Sequence, residues 1–247
     1  MQDGARIELV TYAAIWISAV IYTIYSFVIT SNKYFSYYID SYSDFTEGWT
    51  FLSRKKDVAD LEWETIKFSL ERSYLWIILL LFISEILRKF KFVRILQLLL
   101  FWLLFLEFCL HFVYVNATEF HTKWIKKLDS CSLYGYGYTM GQFFHIKYVV
   151  SYGLANSFAR FEGVTVPSQP VCIGRIHLYS DMWKYFDAGL YNFLRRYIYI
   201  PLLRSGIFGT QLLSSFICFL FVYIWHGTDS LILLWTTLNY IGNPERI

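Results

Sequence analysis

Residues 9–30 and residues 205–225 carry no charged side chain, and each run matches the roughly 20 residues that a helix needs to cross a hydrocarbon core. Lipid offers the backbone no hydrogen-bond partner, so a run of this kind is expected to fold as a helix. Composition agrees, with 56% of the 247 residues hydrophobic and 17% charged, whereas an ordinary soluble domain has about 25% charged. The expected fold class is all-α, a polytopic transmembrane helical bundle, with the lipid bilayer as partner. The net charge of +3 is small, and no basic stripe of the kind that tracks phosphates is present, so nucleic acid is not an expected partner. Cys109, Cys131, Cys172 and Cys218 lack CxxC spacing and suggest neither a disulfide framework nor a zinc site.

Taken in order, the run 9–30 has no small-residue cleavage pattern after it and reads as a retained span. Residues 31–72 are polar and aromatic, a mixture suited to the headgroup zone, with a short helix expected over 57–71. Residues 73–87 and 95–115 form two apolar arms about Arg88, Lys89, Lys91 and Arg94, a basic turn that the positive-inside rule places in the cytoplasm. Glu107 and His111, four apart, share a face of the second arm. An interhelical hydrogen bond is the expected use of that pair, and a proton or metal site is the alternative. Asn116-Ala-Thr118 then falls in the lumen and fits the glycosylation acceptor pattern, although Lys123, Lys126 and Lys127 on the same side argue against this orientation. Residues 133–158 open on Tyr134-Gly135-Tyr136-Gly137-Tyr138 with Gly141 close behind. Such small residues let helices approach closely, so the run reads as an interior span.

Pro167 and Pro170 mark a loop. Beyond it Ser180 is expected to cap a helix with Asp181 in its first turn, Arg195 and Arg196 in its last, and Pro201 closing it. On that helix Asp187 shares a face with Trp183, Leu190, Tyr191 and Leu194. The run 205–225 then ends on Trp225-His226-Gly227. A carboxylate and an imidazole in or beside hydrocarbon are costly, and their default reading there is a functional site. An imidazole can take and return a proton at neutral pH. Acyl transfer from a thioester to an amine or hydroxyl needs that help, because the nucleophile loses a proton as it attacks. The blander readings are an interfacial histidine for His226 and an i,i+3 partner of Lys184 for Asp187; on spacing alone the two accounts stand level.

The runs DMWKYFDAGLYNFLRRYIYIPL and FVYIWHGTDSLILLWTTLNYIG resemble the membrane-bound O-acyltransferase family, specifically its Hedgehog acyltransferase branch. GWTFLSRKKDVADLEWETIK resembles the branch near its amino terminus. The resemblance implies that Asp187, where most of the family has Asn, and His226 in its Trp-His-Gly setting are catalytic, with Trp183, Tyr191 and Trp225 as substrate-channel candidates. It implies palmitoyl-CoA, a long-chain acyl-CoA, as donor and the N-terminal cysteine amine of a secreted Hedgehog-type protein as acceptor, in the endoplasmic reticulum membrane or the Golgi. Cys172, in PVCIGRIH, matches a cysteine that contacts haem in some relatives. On this reading residues 1–72 are a first span with a juxtamembrane segment, and residues 73–247 are a partial acyltransferase core, since full members of the family are longer. The alternatives are a catalytically inactive relative acting as a membrane scaffold or competitor, and an enzyme acting on a lipid or sterol hydroxyl.

Overall fold

The computed structural model describes all residues except 1, 38, 40–42, 87–89, 176–178, 206–209 and 243–247, and it leaves out the side chains of residues 2–5, 80–81, 84–86, 90–97, 161, 175, 179–180 and 183. The basic turn at Arg88 and Lys89, and the side chains of Lys91, Arg94 and Trp183, therefore lie outside the described residues. The chain forms two compact units, Met1–Glu162 and Gly163–Ile247.

The first unit is built on long helices. α1 (Gln2–Phe35) is followed by a hairpin of β1 (Phe45–Glu47) and β2 (Lys55–Asp57), then by α2 (Leu61–Ile86), α3 (Phe90–Cys109), the short α4 (Val115–Phe120) and α5 (Thr122–Ile125), and α6 (Ser130–Phe161). Asp129 starts α6 by accepting the backbone N–H groups of Cys131 and Ser132, the usual role of an N-cap carboxylate. α6 then runs back along α1. Ser132 Oγ lies 2.8 Å from Ser26 Oγ and 3.2 Å from Thr30 Oγ1, Tyr136 sits against Phe27, and Tyr138 meets Trp16 edge-on. A Cβ on Gly135 would fall 1.9 Å from the Thr23 carbonyl oxygen, so the close approach expected of the small residues is real at this position. Gly137 and Gly141 face open space instead.

The segment 31–72 departs from expectation. It holds an antiparallel hairpin, with Phe45 opposite Asp57 and Glu47 opposite Lys55, and the helix expected over 57–71 begins only at Leu61. Asp60 sets that start by accepting the Trp63 N–H at 2.8 Å. α2 then continues through Arg72 to Ile86, so the change of composition at Arg72 falls inside a helix. Asp57 is occupied elsewhere: fully buried, it accepts N–H groups from Ala59, Asn116 and Ala117 and so caps the start of α4 from the hairpin. Burial pushes its carboxyl up to about 7, against the pull of those three donors and with Asp44 adding to the rise.

Glu107 and His111 prove to be structural. Glu107 accepts from Lys56 Nζ at 3.0 Å and from Trp63 Nε1 at 2.7 Å, tying α3 to the hairpin and to α2. His111 follows the end of α3; its Nε2 accepts the Trp49 N–H and its Nδ1 donates to the Glu107 carbonyl, both at 2.8 Å. With both ring nitrogens committed, the hydrogen-bonding use of the pair is the one found, not the metal or proton site. Asn116 is 3% exposed, so the tripeptide offers no accessible glycosylation acceptor in this fold.

The second unit comprises α7 (Tyr179–Tyr185), α8 (Ala188–Phe193), a π-helical turn over Leu194–Tyr199, α9 (Ile200–Arg204), α10 (Gln211–His226) and α11 (Ser230–Gly242). One helix was expected over most of 181–200, and three pieces and a wide turn are found. Ser180 lies inside the first turn of α7 rather than ahead of it, within the uncertainty of a helix boundary. Pro201 does not close the helix; it enters α9 in its first turn. Proline supplies no N–H to the carbonyl four residues back, and the π-helical turn just ahead of it lets the helix continue with a different bonding pattern. The apolar run 205–225 yields α10, a 16-residue helix starting at Gln211. Among the described residues, Arg6–Phe35 is the one helix long and apolar enough to cross a membrane; Leu98–Cys109, Gln211–His226 and Ser230–Gly242 are apolar but shorter.

Candidate active site

Asp187 stands at the break between α7 and α8. α7 ends with the Phe186 N–H on the Met182 carbonyl. The next residue leaves helical geometry at φ −119°, ψ 76°, and its Oδ1 accepts the Leu190 N–H at 2.9 Å. The carboxylate is thus the N-cap of α8, which explains why the helix restarts there. Gly189 leaves room at its side, since a Cβ there would come within 3.4 Å of Asp187 Oδ1 and 3.5 Å of Pro167. The break removes the continuous helical register on which the Trp183 face and the Lys184 pair were expected. Leu190, Tyr191 and Leu194 follow Asp187 directly, and Tyr191 is half-buried.

His226 is the last residue of α10. Gly227 stops the helix with φ +108°, a backbone state that only glycine adopts without strain. The chain then turns at once. Tyr223 Oη donates to the Thr228 carbonyl at 2.9 Å, and Asp229 Oδ1 accepts the N–H groups of Leu231 and Ile232 to begin α11. This tight return brings Trp235 back against the imidazole, with ring centroids 5.5 Å apart and planes at 83°. Trp225, the other tryptophan nearby, stacks on Phe221 and is 66% exposed.

One apolar cluster joins the two residues. Leu194, Tyr199, Cys218 and Val222 form its buried centre, with Leu190, Phe221 and Trp235 packed on it. Leu190 is the residue whose amide Asp187 holds, Val222 lies one turn before His226, and Trp235 touches the imidazole. Cys172 sits half-buried just ahead of the 3-10 turn Ile173–Arg175. Its thiol is the one sulfur that the resemblance offers to a haem, and no group of three or more His, Cys, Asp or Glu side chains able to hold a metal occurs among the described residues.

The model of the MBOAT, membrane-bound O-acyltransferase family matches residues 17–242. This chain belongs to that family. Among curated proteins, this chain is 41% identical over 142 residues to protein-cysteine N-palmitoyltransferase Rasp of Drosophila melanogaster, covering 57% of this chain and 28% of Rasp. It is 37% identical over 146 residues to protein-cysteine N-palmitoyltransferase HHAT of Mus musculus, covering 58% and 29% respectively. Membrane-bound O-acyltransferase GUP1 of Candida tropicalis matches at 27% over 137 residues, 55% of this chain and 23% of GUP1. The matched stretch thus spans less than a third of each of these relatives. The family is membrane-bound, and the described residues include α1 as a helix able to span.

Sequence reasoning named Asp187 and His226 but not the groups that hold them. The Leu190 amide follows from the cap rule once a break at Asp187 is recognised. Trp235, nine residues after His226, becomes a neighbour only because Gly227 and Asp229 turn the chain so tightly.

Proposed function

We propose that this chain is the acyltransferase core of a protein-cysteine N-palmitoyltransferase, moving palmitate from palmitoyl-CoA to the N-terminal cysteine amine of a Hedgehog-type secreted protein, in the endoplasmic reticulum membrane. What supports the reading is that the two residues matching the family pattern, Asp187 and His226, are both anchored to the same apolar cluster. His226 acts as general base. The acceptor nitrogen forms its bond to the thioester carbonyl carbon while its proton passes to the imidazole. The C–S bond then breaks, and the CoA sulfur leaves with the electron pair and is protonated. Asp187 balances the positive charge that the ring acquires. A carboxylate suits that task better than the Asn usual in the family, and Tyr191 and Trp225 line the acyl path. Haem at Cys172 would be a separate attachment through the thiol.

The alternative, a catalytically inactive scaffold or competitor, draws on one observation. His226 and Trp225 are exposed, whereas acyl transfer benefits from a water-excluding site. Labelled palmitoyl-CoA and a peptide beginning with Cys, incubated with the detergent-purified chain, separate the two. The enzyme reading expects label on the peptide, with His226→Ala lowering transfer by roughly 10²–10⁴-fold, the usual worth of a general base. No transfer in either protein favours the scaffold, and equal transfer in both removes the catalytic assignment of His226.

A further inference from the structure

Among the described residues, Trp235 is the aromatic ring that meets His226, and several features of the second unit combine to put it there. Gly227 ends α10 immediately after the histidine, Tyr223 Oη holds the Thr228 carbonyl, and Asp229 starts α11. The indole then packs on the apolar centre formed by Leu194, Cys218 and Val222, while the same ring meets the imidazole at 83°. An edge-to-face pair of this kind has a preferred orientation, because the ring edge is positive and the ring face negative. His226, at a helix terminus and exposed, would otherwise keep rotamer freedom about two torsions.

We infer that Trp235 is the positioning residue of the acyl-transfer site: it fixes the plane of the His226 imidazole so that the ring meets the proton of the acceptor amine. The inference rests on His226 being the base, and it adds a residue from α11 to the machinery. Trp235 touches neither donor nor acceptor. It acts on the direction of proton transfer, so its loss should appear in kcat and leave KM for both substrates nearly unchanged.

The test compares the native chain with Trp235→Leu, Trp235→Phe and His226→Gln, using labelled palmitoyl-CoA and a peptide beginning with Cys, alongside carbon-13 histidine-labelled samples in detergent. Trp235→Leu is expected to lower kcat on the order of tenfold with KM within about twofold, since misorientation acts on the transition state and not on ground-state binding. Trp235→Phe, which keeps a ring there, should recover most of the rate. In the NMR spectrum of the five histidines, the signals lost in His226→Gln identify His226, and their ring-current shift should collapse in Trp235→Leu and persist in Trp235→Phe. An unchanged ring-current shift in Trp235→Leu overturns the inference whether or not the chain turns over. So does a kcat equal to that of the native chain while His226→Gln is inactive, a result that leaves the base assignment standing. Full activity in His226→Gln overturns the base assignment itself, and the inference with it.

Discussion

Asp187 combines two duties that one substitution can separate. Its Oδ1 caps α8 through the Leu190 N–H, and its charge is the feature assigned to catalysis. Asn caps as well as Asp, so Asp187→Asn should melt within a degree or two of the native chain while losing transfer. Asp187→Ala should lose transfer and also about 1 kcal/mol of stability, which thermal unfolding in detergent would register. Asp57 gives a second prediction at this scale. Its carboxyl is raised from 3.8 to about 7, so the folded state holds the proton more tightly than the unfolded chain does. The stability this contributes is present in full at low pH and is lost as pH rises through 7. Melting temperature should fall as pH rises from about 4 to about 7 and level off above that, and Asp57→Asn, though less stable overall, should flatten that slope. Neither cap was legible in the sequence: a carboxylate that caps from a distance, as Asp57 caps α4, leaves no local spacing to read.

At the scale of elements, periodicity and charge told where helices would lie but not where they would break. α1, α3 and α6 fall close to the runs expected of them, because apolar stretches of that length have few other ways to satisfy their backbone. The hairpin over residues 45–57 was missed, since its strands are three residues each and the bonds that hold it, from Lys56 to Glu107, from the Trp49 N–H to His111 and from Arg54 to Asn32, run to other elements and leave no alternating pattern. The break at Asp187 was missed because Ala188 and Gly189 look harmless inside a helix, and Pro201 was taken as a stop because a π-helical turn has no sequence mark. Gly135 is where α1 and α6 touch, and the atom in the way of any side chain there is backbone. Gly135→Ala should therefore cost about 1–3 kcal/mol through overpacking, whereas Gly141→Ala, facing open space, should be neutral or mildly stabilising, as Ala favours helix over Gly. Thermal shifts of the two variants measured side by side would decide it.

For the whole molecule, the division at Glu162 and Gly163 governs how the chain should come apart. Glu162 is exposed, Gly163 has φ +86°, and residues 164–170 have no regular structure. A glutamate-specific protease should cut first after Glu162 and release two pieces on a gel; first cleavage at Glu64 or Glu107, both held in ion pairs or hydrogen bonds, would contradict the packing described. Membership of the family was legible from two runs of the second unit, and the comparisons bear it out over residues 17–242. The number of spans was not legible, because an uncharged run such as 205–225 does not fix how much of it is helix, and α10 begins only at Gln211. The apolar stretch of α1 has the opposite property. Its 30 residues from Arg6 to Phe35, at 1.5 Å each, measure about 45 Å, some 15 Å more than a typical hydrocarbon core of about 30 Å. Such an overhang is absorbed by tilt or by local thickening of the lipid. Bilayer thickness is therefore expected to set the tilt of α1, and reconstitution into long-tailed lipids should settle α1, and the hairpin that Arg54 ties to its Asn32, more upright than short-tailed ones do.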